Sequence, residues 1–173
     1  NVSELNSPIK RHRVVDGLTK QYPTICCIQE THFTYKDTHR LKIKAHRKYS
    51  MPMKTKRAGI AISDQIDFNT KTKKRDKKGY YTMIKASFQQ EDTTIVNTYA
   101  SNTEIPSYIK QILLKSKSQL DFNIVIVGNF NIPLSALDRS FRQKTNKEML
   151  DLICTVNQMD LIDIYRTFHP MAA

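Results

Sequence analysis

The run Phe122-Asn123-Ile124-Val125-Ile126-Val127, closed by Gly128, is the most apolar in the chain and limits its fold more than any other feature. Branched side chains in an almost unbroken row predict a strand buried within a layered core. Thr24 to Ile28 has the same unbroken apolar character and ends abruptly in Gln29-Glu30-Thr31-His32. Ala58 to Ser63, Tyr80 to Gln89 and Thr93 to Tyr99, rich in β-branched and aromatic residues, are three further predicted strands. Between and around them lie helical patterns. Ser7-Pro8 offers a hydroxyl cap followed by proline at the first helical position, for a helix running to about Lys20 and stopping before Pro23. Gly17 inside it is a weak spot, costing roughly 1 kcal/mol against alanine. A second helix opens near Pro106 with Ile109, Ile112, Leu113 and Leu120 on one face. A third spans about Gln143 to Gln158 and buries Met149, Leu152, Ile153 and Val156; Leu161 to Tyr165 follows as an expected short strand.

That order predicts an α+β chain, a two-sheet β-sandwich flanked by helices. At 173 residues, 39% of them hydrophobic, residues 1–173 form a single expected domain with a real core. No glycine-rich phosphate loop follows any strand, which argues against a dinucleotide fold and leaves no small-molecule cofactor to expect.

Lys and Arg number 28 against 16 Asp and Glu, a net +12. Such an excess can serve a well-solvated surface or attract a nucleic-acid backbone. The clustering favours the second use. Lys54, Lys56 and Arg57 form one knot, and Lys71, Lys73, Lys74, Arg75, Lys77 and Lys78 another. Cys26, Cys27 and Cys154 have no metal-ligand spacing and are expected to be reduced, buried thiols of an intracellular protein, in nucleus or cytoplasm. The five histidines form no zinc pattern. No apolar stretch approaches the roughly 18 residues that span a bilayer, and no membrane partner or signal peptide is expected. The chain begins at Asn1 rather than Met, as expected of a segment cut from something longer.

Three apolar runs end in unusual polar sets: Gln29-Glu30, then Asn97-Thr98-Tyr99-Ala100-Ser101-Asn102, then Gly128-Asn129-Phe130-Asn131. Adjacent strands pointing the same way would gather these ends into one rim. A carboxylate, a phenol and several carboxamides there suit a hard cation and a phosphate, since magnesium takes one or two carboxylates and shares its other positions with substrate. Singly, each residue has a plainer use. Glu30 fits a solvated strand end, Tyr99 a rim aromatic, and asparagines beside Phe130 a turn. The specificity lies in the ordered set.

That set resembles the endonuclease/exonuclease/phosphatase superfamily, and within it the apurinic-endonuclease-like domain of LINE retrotransposons. Asn1-x-x-x-Leu5-Asn6 with Lys10-Arg11-His12-Arg13 is similar to the family's opening segment and first helix. Cys26-Cys27-Ile28-Gln29-Glu30-Thr31-His32 resembles its metal-ligand strand, and Asn97 to Asn102 its tyrosine strand. Gly128-Asn129-Phe130-Asn131, Leu137-Asp138-Arg139-Ser140 and Asp160-Leu161-Ile162-Asp163-Ile164-Tyr165-Arg166 extend the likeness over nearly the whole chain. The resemblance implies that Glu30 holds Mg²⁺ with help from Asn1, that Tyr99 steadies the transition state and that Asn131 orients the phosphate. The implied reaction is hydrolysis of one DNA strand, leaving a 3′-hydroxyl to prime reverse transcription, in a parent polyprotein with room for a reverse transcriptase. Asn102, Arg139 and the basic cluster Lys71, Lys73, Lys74 and Arg75 would contact phosphates, which give affinity without sequence information.

The departures from the pattern matter as much. Asn129 stands where the family's Gly-Asp-Phe-Asn loop has its Asp. An amide oxygen accepts a hydrogen bond but takes no proton near neutral pH. Losing such a base typically costs about 10²- to 10⁴-fold in rate. The family also continues to a further Asp and a terminal Ser-Asp-His motif, with no counterpart in His169, and it has a strand before Asn1. The fold is therefore expected to be incomplete at both ends. Glu4 replaces a glycine, Ser101 a proline, and Ala58 to Ser63 is shorter than the family's strand. The leading expectation is a nicking endonuclease domain that is inactive or very weak. Three others stand beside it: a non-catalytic, salt-sensitive nucleic-acid-binding module, a relic without selected function, and phosphatase chemistry on a small phosphoester.

Overall fold

The computed structural model describes residues 7–33, 46–48, 56–75, 81–99, 109–114, 123–129 and 147–170. The chain divides into two compact units, residues 1–100 with 122–129, and residues 101–121 with 130–173.

In the first unit, α1 (Pro8–Gln21) starts at Pro8 as expected, but the Ser7 side chain makes no capping hydrogen bond. The start rests on proline's fixed φ and on the Ser7 carbonyl, which accepts from the Arg11 N–H at 3.1 Å. The helix ends at Tyr22, which turns left-handed (φ 49°) and donates its N–H to the Leu18 carbonyl. Pro23 follows and cannot continue the helix.

Among the described residues seven strands form two sheets. The first has the order β1 (Ile25–Phe33), β3 (Lys56–Ser63), β2 (His46–Lys48), all antiparallel. The second has the order β4 (Phe68–Arg75), β5 (Tyr81–Phe88), β6 (Glu91–Tyr99), β7 (Asn123–Asn129), antiparallel except for the parallel β6–β7 pair. Alternation along β3 shows how they stack. Ile60 and Ile62 join Phe68, Ile84, Ala86 and Ile95 in the core between the sheets, while Ala61 joins Ile28 under Val14, Val15 and Leu18 of α1. The first unit is thus three layers: helix, sheet, sheet. Both faces of β6 are buried from Thr94 to Thr98.

Several expectations are corrected. β1 does not stop at Ile28 but runs on to Phe33, with a register irregularity between Gln29 and Phe33. β3 begins at Lys56, so it is longer than the Ala58 to Ser63 run. β7 continues past Gly128 to Asn129, and it is not the buried strand its apolar run predicts: it lies last in its sheet, with Ile124, Val125 and Ile126 half-buried and Val127 exposed. β4 was hidden in the sequence because only Phe68 on it is buried and the rest is polar or basic. It lies first in its sheet, and beyond Phe68 neither of its faces is covered, so no apolar alternation is required.

The second unit contributes α2 (109–114), α3 (Lys147–Gln158) and α4 (Ile164–Phe168). Ile109, Ile112, Leu113, Met149 and Leu152 are buried, in agreement with the helical periodicity. Lys110 pairs with Asp151 at 3.1 Å. Cys154, expected to be buried, is exposed; the neighbouring Thr155 takes the inward position and returns its hydroxyl to the Asp151 carbonyl. The expected strand from Leu161 to Tyr165 does not form: Leu161 to Asp163 are irregular, and the short helix α4 starts at Ile164. The Asp163 carboxylate caps it by accepting the Arg166 N–H at 3.0 Å. Ile162, Ile164, Tyr165 and Phe168 are all more than half exposed, so this apolar stretch is not a core strand. No helix among the described residues is long and apolar enough to cross a membrane.

A Cβ at Gly17 would meet nothing within 4 Å, so this helix-interior glycine serves no packing purpose. Gly17→Ala is expected to raise stability by about 0.5–1 kcal/mol through lower unfolded-state entropy, read as a higher urea midpoint. A lower midpoint would refute the assignment.

Candidate functional site

The expected rim forms where β6 and β7 end. Their parallel register runs from Thr93 beside Asn123 to Tyr99 beside Asn129, which puts the phenol-bearing and carboxamide-bearing residues on neighbouring strand ends. Close approach fixes this pairing. A Cβ on Gly128 would lie 2.6 Å from the Thr98 methyl and 2.7 Å from the Thr98 carbonyl oxygen. The backbone oxygen cannot move without opening the ladder. Gly128→Ala is therefore expected to cost about 1–3 kcal/mol, seen as a lowered urea midpoint; an unchanged midpoint would show that β7 can shift freely.

β1 belongs to the other sheet, and no backbone ladder joins its end to β6. Side chains do so instead. The Gln29 Nε2 donates to Asn97 Oδ1 at 2.9 Å and to the Thr98 carbonyl at 3.1 Å. The Asn97 Nδ2 donates to the carbonyls of Gly59 at 2.8 Å and Ile28 at 3.2 Å. Asn97 is fully buried and Gln29 nearly so. The bridge leaves Glu30 one residue beyond Gln29 on β1, and Tyr99 one residue beyond Thr98 on β6. The Thr98 hydroxyl is buried and makes no hydrogen bond.

Of the residues singled out in the sequence, Glu30, Tyr99 and Asn129 thus lie at strand positions tied to this one end of the first unit. Asn1, Asn102, Asn131 and Arg139 lie outside the described residues. Lys71, Lys73, Lys74 and Arg75 are exposed along β4. Lys71 is the extra residue where the register slips between Thr70 and Thr72, and its ammonium pairs with Asp92. Beyond it, Arg75 pairs with Thr82, which pairs with Asn97, so the basic strand ends in the same row as the buried bridge. By ordinary strand spacing that row places Arg75 roughly 10 Å from Asn97. Lysines on an outer strand also discourage edge-to-edge pairing. Lys54, Lys77 and Lys78 lie outside the described residues.

Cysteine chemistry does not enter the site. Burial, with the neighbouring Cys26 adding to it, pushes the Cys27 thiol up to about 12, and burial also raises Cys26. Both stay protonated, and the thiolate is the reactive form. Among the described residues no three His, Cys, Asp or Glu side chains gather to hold a metal. Sequence reasoning passed over Gln29 and Asn97 as working residues. Their signal was a carboxamide directly after a buried apolar residue, Ile28 or Val96.

No protein-family model matches the sequence. Solved structures do resemble this one. An AP endonuclease from Archaeoglobus fulgidus superposes with a TM-score of 0.67 at 20% identity, covering 99% of this chain and 73% of that one. The endonuclease domain of TRAS1, a telomere-specific non-LTR retrotransposon, gives 0.59 at 13% identity over 88% of this chain and 66% of its own. TDP2 from D. rerio, complexed with a single-strand DNA product, gives 0.59 at 10% identity over 82% and 56%. The chain spans less than two thirds of that last structure and about two thirds of the TRAS1 domain. These likenesses show the fold: α+β, two sheets with flanking helices, the endonuclease/exonuclease/phosphatase fold expected from the sequence.

Proposed function

We propose that the chain is a magnesium-dependent DNA-nicking domain of the LINE retrotransposon type, with residues 1–173 as one domain and with hydrolysis made very weak by the amide at position 129. The observation that carries this reading is the paired ending of β6 and β7, Tyr99 beside Asn129, with Gln29 tying the Glu30 strand to the same end. The likeness to an AP endonuclease and to the TRAS1 endonuclease domain supports it at the level of fold.

The donor chemistry fits a hard cation. The proposed set, the carboxylate of Glu30 with the carboxamides of Asn1, Asn129 and Asn131 and the phenol of Tyr99, offers oxygen donors throughout. Glu30, helped by Asn1, would hold Mg²⁺, which supplies positive charge against the phosphate oxygens when bound. The chain's own residues do the rest. Tyr99 and Asn131 hydrogen-bond the phosphate and steady its developing charge. Asn129 can orient an attacking water through its amide oxygen but cannot take that water's proton. Asn102, Arg139, Lys71, Lys73, Lys74 and Arg75 hold the DNA by its phosphates, with Arg75 at the end of the basic strand that leads toward the rim. A reverse transcriptase elsewhere in a parent polyprotein belongs to this reading.

The exposed basic run on β4 favours one second reading, a binding module without chemistry. It requires affinity that falls steeply with salt and ignores base sequence. The test is supercoiled plasmid with Mg²⁺, beside Glu30→Ala and a chelator control. Slow nicking abolished in both controls is the expected result. No nicking by the parent chain, with salt-sensitive binding intact, would overturn the endonuclease reading in favour of the binding module.

A further inference from the structure

The Glu30 strand and the Tyr99 strand lie in different sheets, and sheets stacked face to face are held by apolar contacts that tolerate sliding. Something has to fix the spacing between the two strand ends. The Gln29–Asn97 bridge has the geometry to do so.

Its bonds leave no freedom. Both Asn97 amide hydrogens go to carbonyls of the first sheet, Ile28 and Gly59, and its oxygen accepts from Gln29. Both Gln29 amide hydrogens go to the second sheet, to Asn97 Oδ1 and the Thr98 carbonyl. Turning the Asn97 amide over would set its oxygen against two carbonyls and its nitrogen against a nitrogen donor. A one-residue slip of either strand would strand all four bonds in a buried environment, at about 1–3 kcal/mol for each orphaned group. A core of apolar residues could stabilise the sandwich as well, but it could not specify register in this way.

We infer that Gln29 and Asn97 are positioning residues: a two-carboxamide clamp across the sheets that sets Glu30 against Tyr99 and Asn129 for a divalent cation and a phosphodiester. The inference rests on the function proposed above, but the clamp has a readout independent of it. Gln29→Met keeps side-chain length and volume and removes the two bonds donated by Gln29.

The experiment compares the parent chain, Gln29→Met and Glu30→Ala by Mn²⁺ titration and by backbone amide resonances, after cooperative unfolding has shown each to be folded. The expected result is about tenfold weaker Mn²⁺ binding in Gln29→Met, the loss typical when a group supporting a metal ligand is removed. The Asn129 amide resonance, one strand away from any altered bond, should move as well. A folded Gln29→Met that binds Mn²⁺ as the parent does, with Asn129 unmoved, overturns the clamp and leaves a purely structural bridge. If the parent binds no Mn²⁺, or Glu30→Ala binds as the parent does, the metal reading fails instead. The Asn129 resonance then decides the clamp alone: displacement upholds it and an unmoved resonance ends it. Should Gln29→Met fail to fold, Mg²⁺ titrated into the parent serves. Side-chain amide resonances of Gln29 and Asn97 that track the titration support the clamp, and static ones overturn it.

Discussion

Asn129→Asp is expected to raise magnesium-dependent plasmid nicking by about 10²- to 10⁴-fold, the usual contribution of a general base. The substitution changes one nitrogen to an oxygen on the last residue of β7, beside Tyr99, and so leaves strand pairing unaltered. What it adds is a group able to accept a proton from water near neutral pH. The rate should rise with pH through the carboxylate's range and then level, whereas the parent's slow rate lacks that limb. Single-turnover nicking at saturating protein separates this gain from tighter binding, because only the rate constant should move. An Asn129→Asp chain as slow as the parent would show that position 129 is not where the chemistry is limited.

Asn97→Ala is the substitution expected to harm the fold most. It removes three hydrogen bonds from a fully buried side chain, deprives the Ile28 and Gly59 carbonyls of a donor and leaves one Gln29 hydrogen unpaired. The expected loss is about 3 kcal/mol or more, a large part of the roughly 5–15 kcal/mol that holds a typical domain together. Urea unfolding of parent and variant measures it. Asn97→Leu should be comparably destabilised despite its better volume match, because the two carbonyls still lose the amide donor and one Gln29 hydrogen still lacks its acceptor. A loss under about 1 kcal/mol in Asn97→Ala would mean that water replaces the amide and that the site is wetter than its burial suggests.

The sequence was most legible where burial dictates residue type. The apolar runs at Ile28, Ile60 to Ile62 and Ile95 located strands, and the i, i+3, i+4 spacing of Ile109, Ile112 and Leu113 located a helix. Edge position defeated it at β4, where seven of eight residues escape burial and no apolar alternation is left to read. Local capping defeated it at Asp163, whose carboxylate turned an apolar stretch into a helical turn. At the candidate site, the order of Glu30, Tyr99 and Asn129 along the chain was readable, because polar residues closing apolar strands stand out. The bridge was not, because pairing Gln29 with Asn97 requires knowing which two sheets face each other. Propensity and periodicity act within one strand and carry no information about a partner 68 residues away.

The parallel pairing of β6 with β7 has a consequence for the order in which the molecule is made. A parallel neighbour cannot be reached by a tight turn, and the crossover between Tyr99 and Asn123 carries residues 109–114 of the second unit. Until residue 129 has left the ribosome, the chain holds β4, β5 and β6 with the flank of β6 uncovered, although that strand ends up among the most deeply buried. The last strand of the first unit is reached only through a segment that belongs to the second.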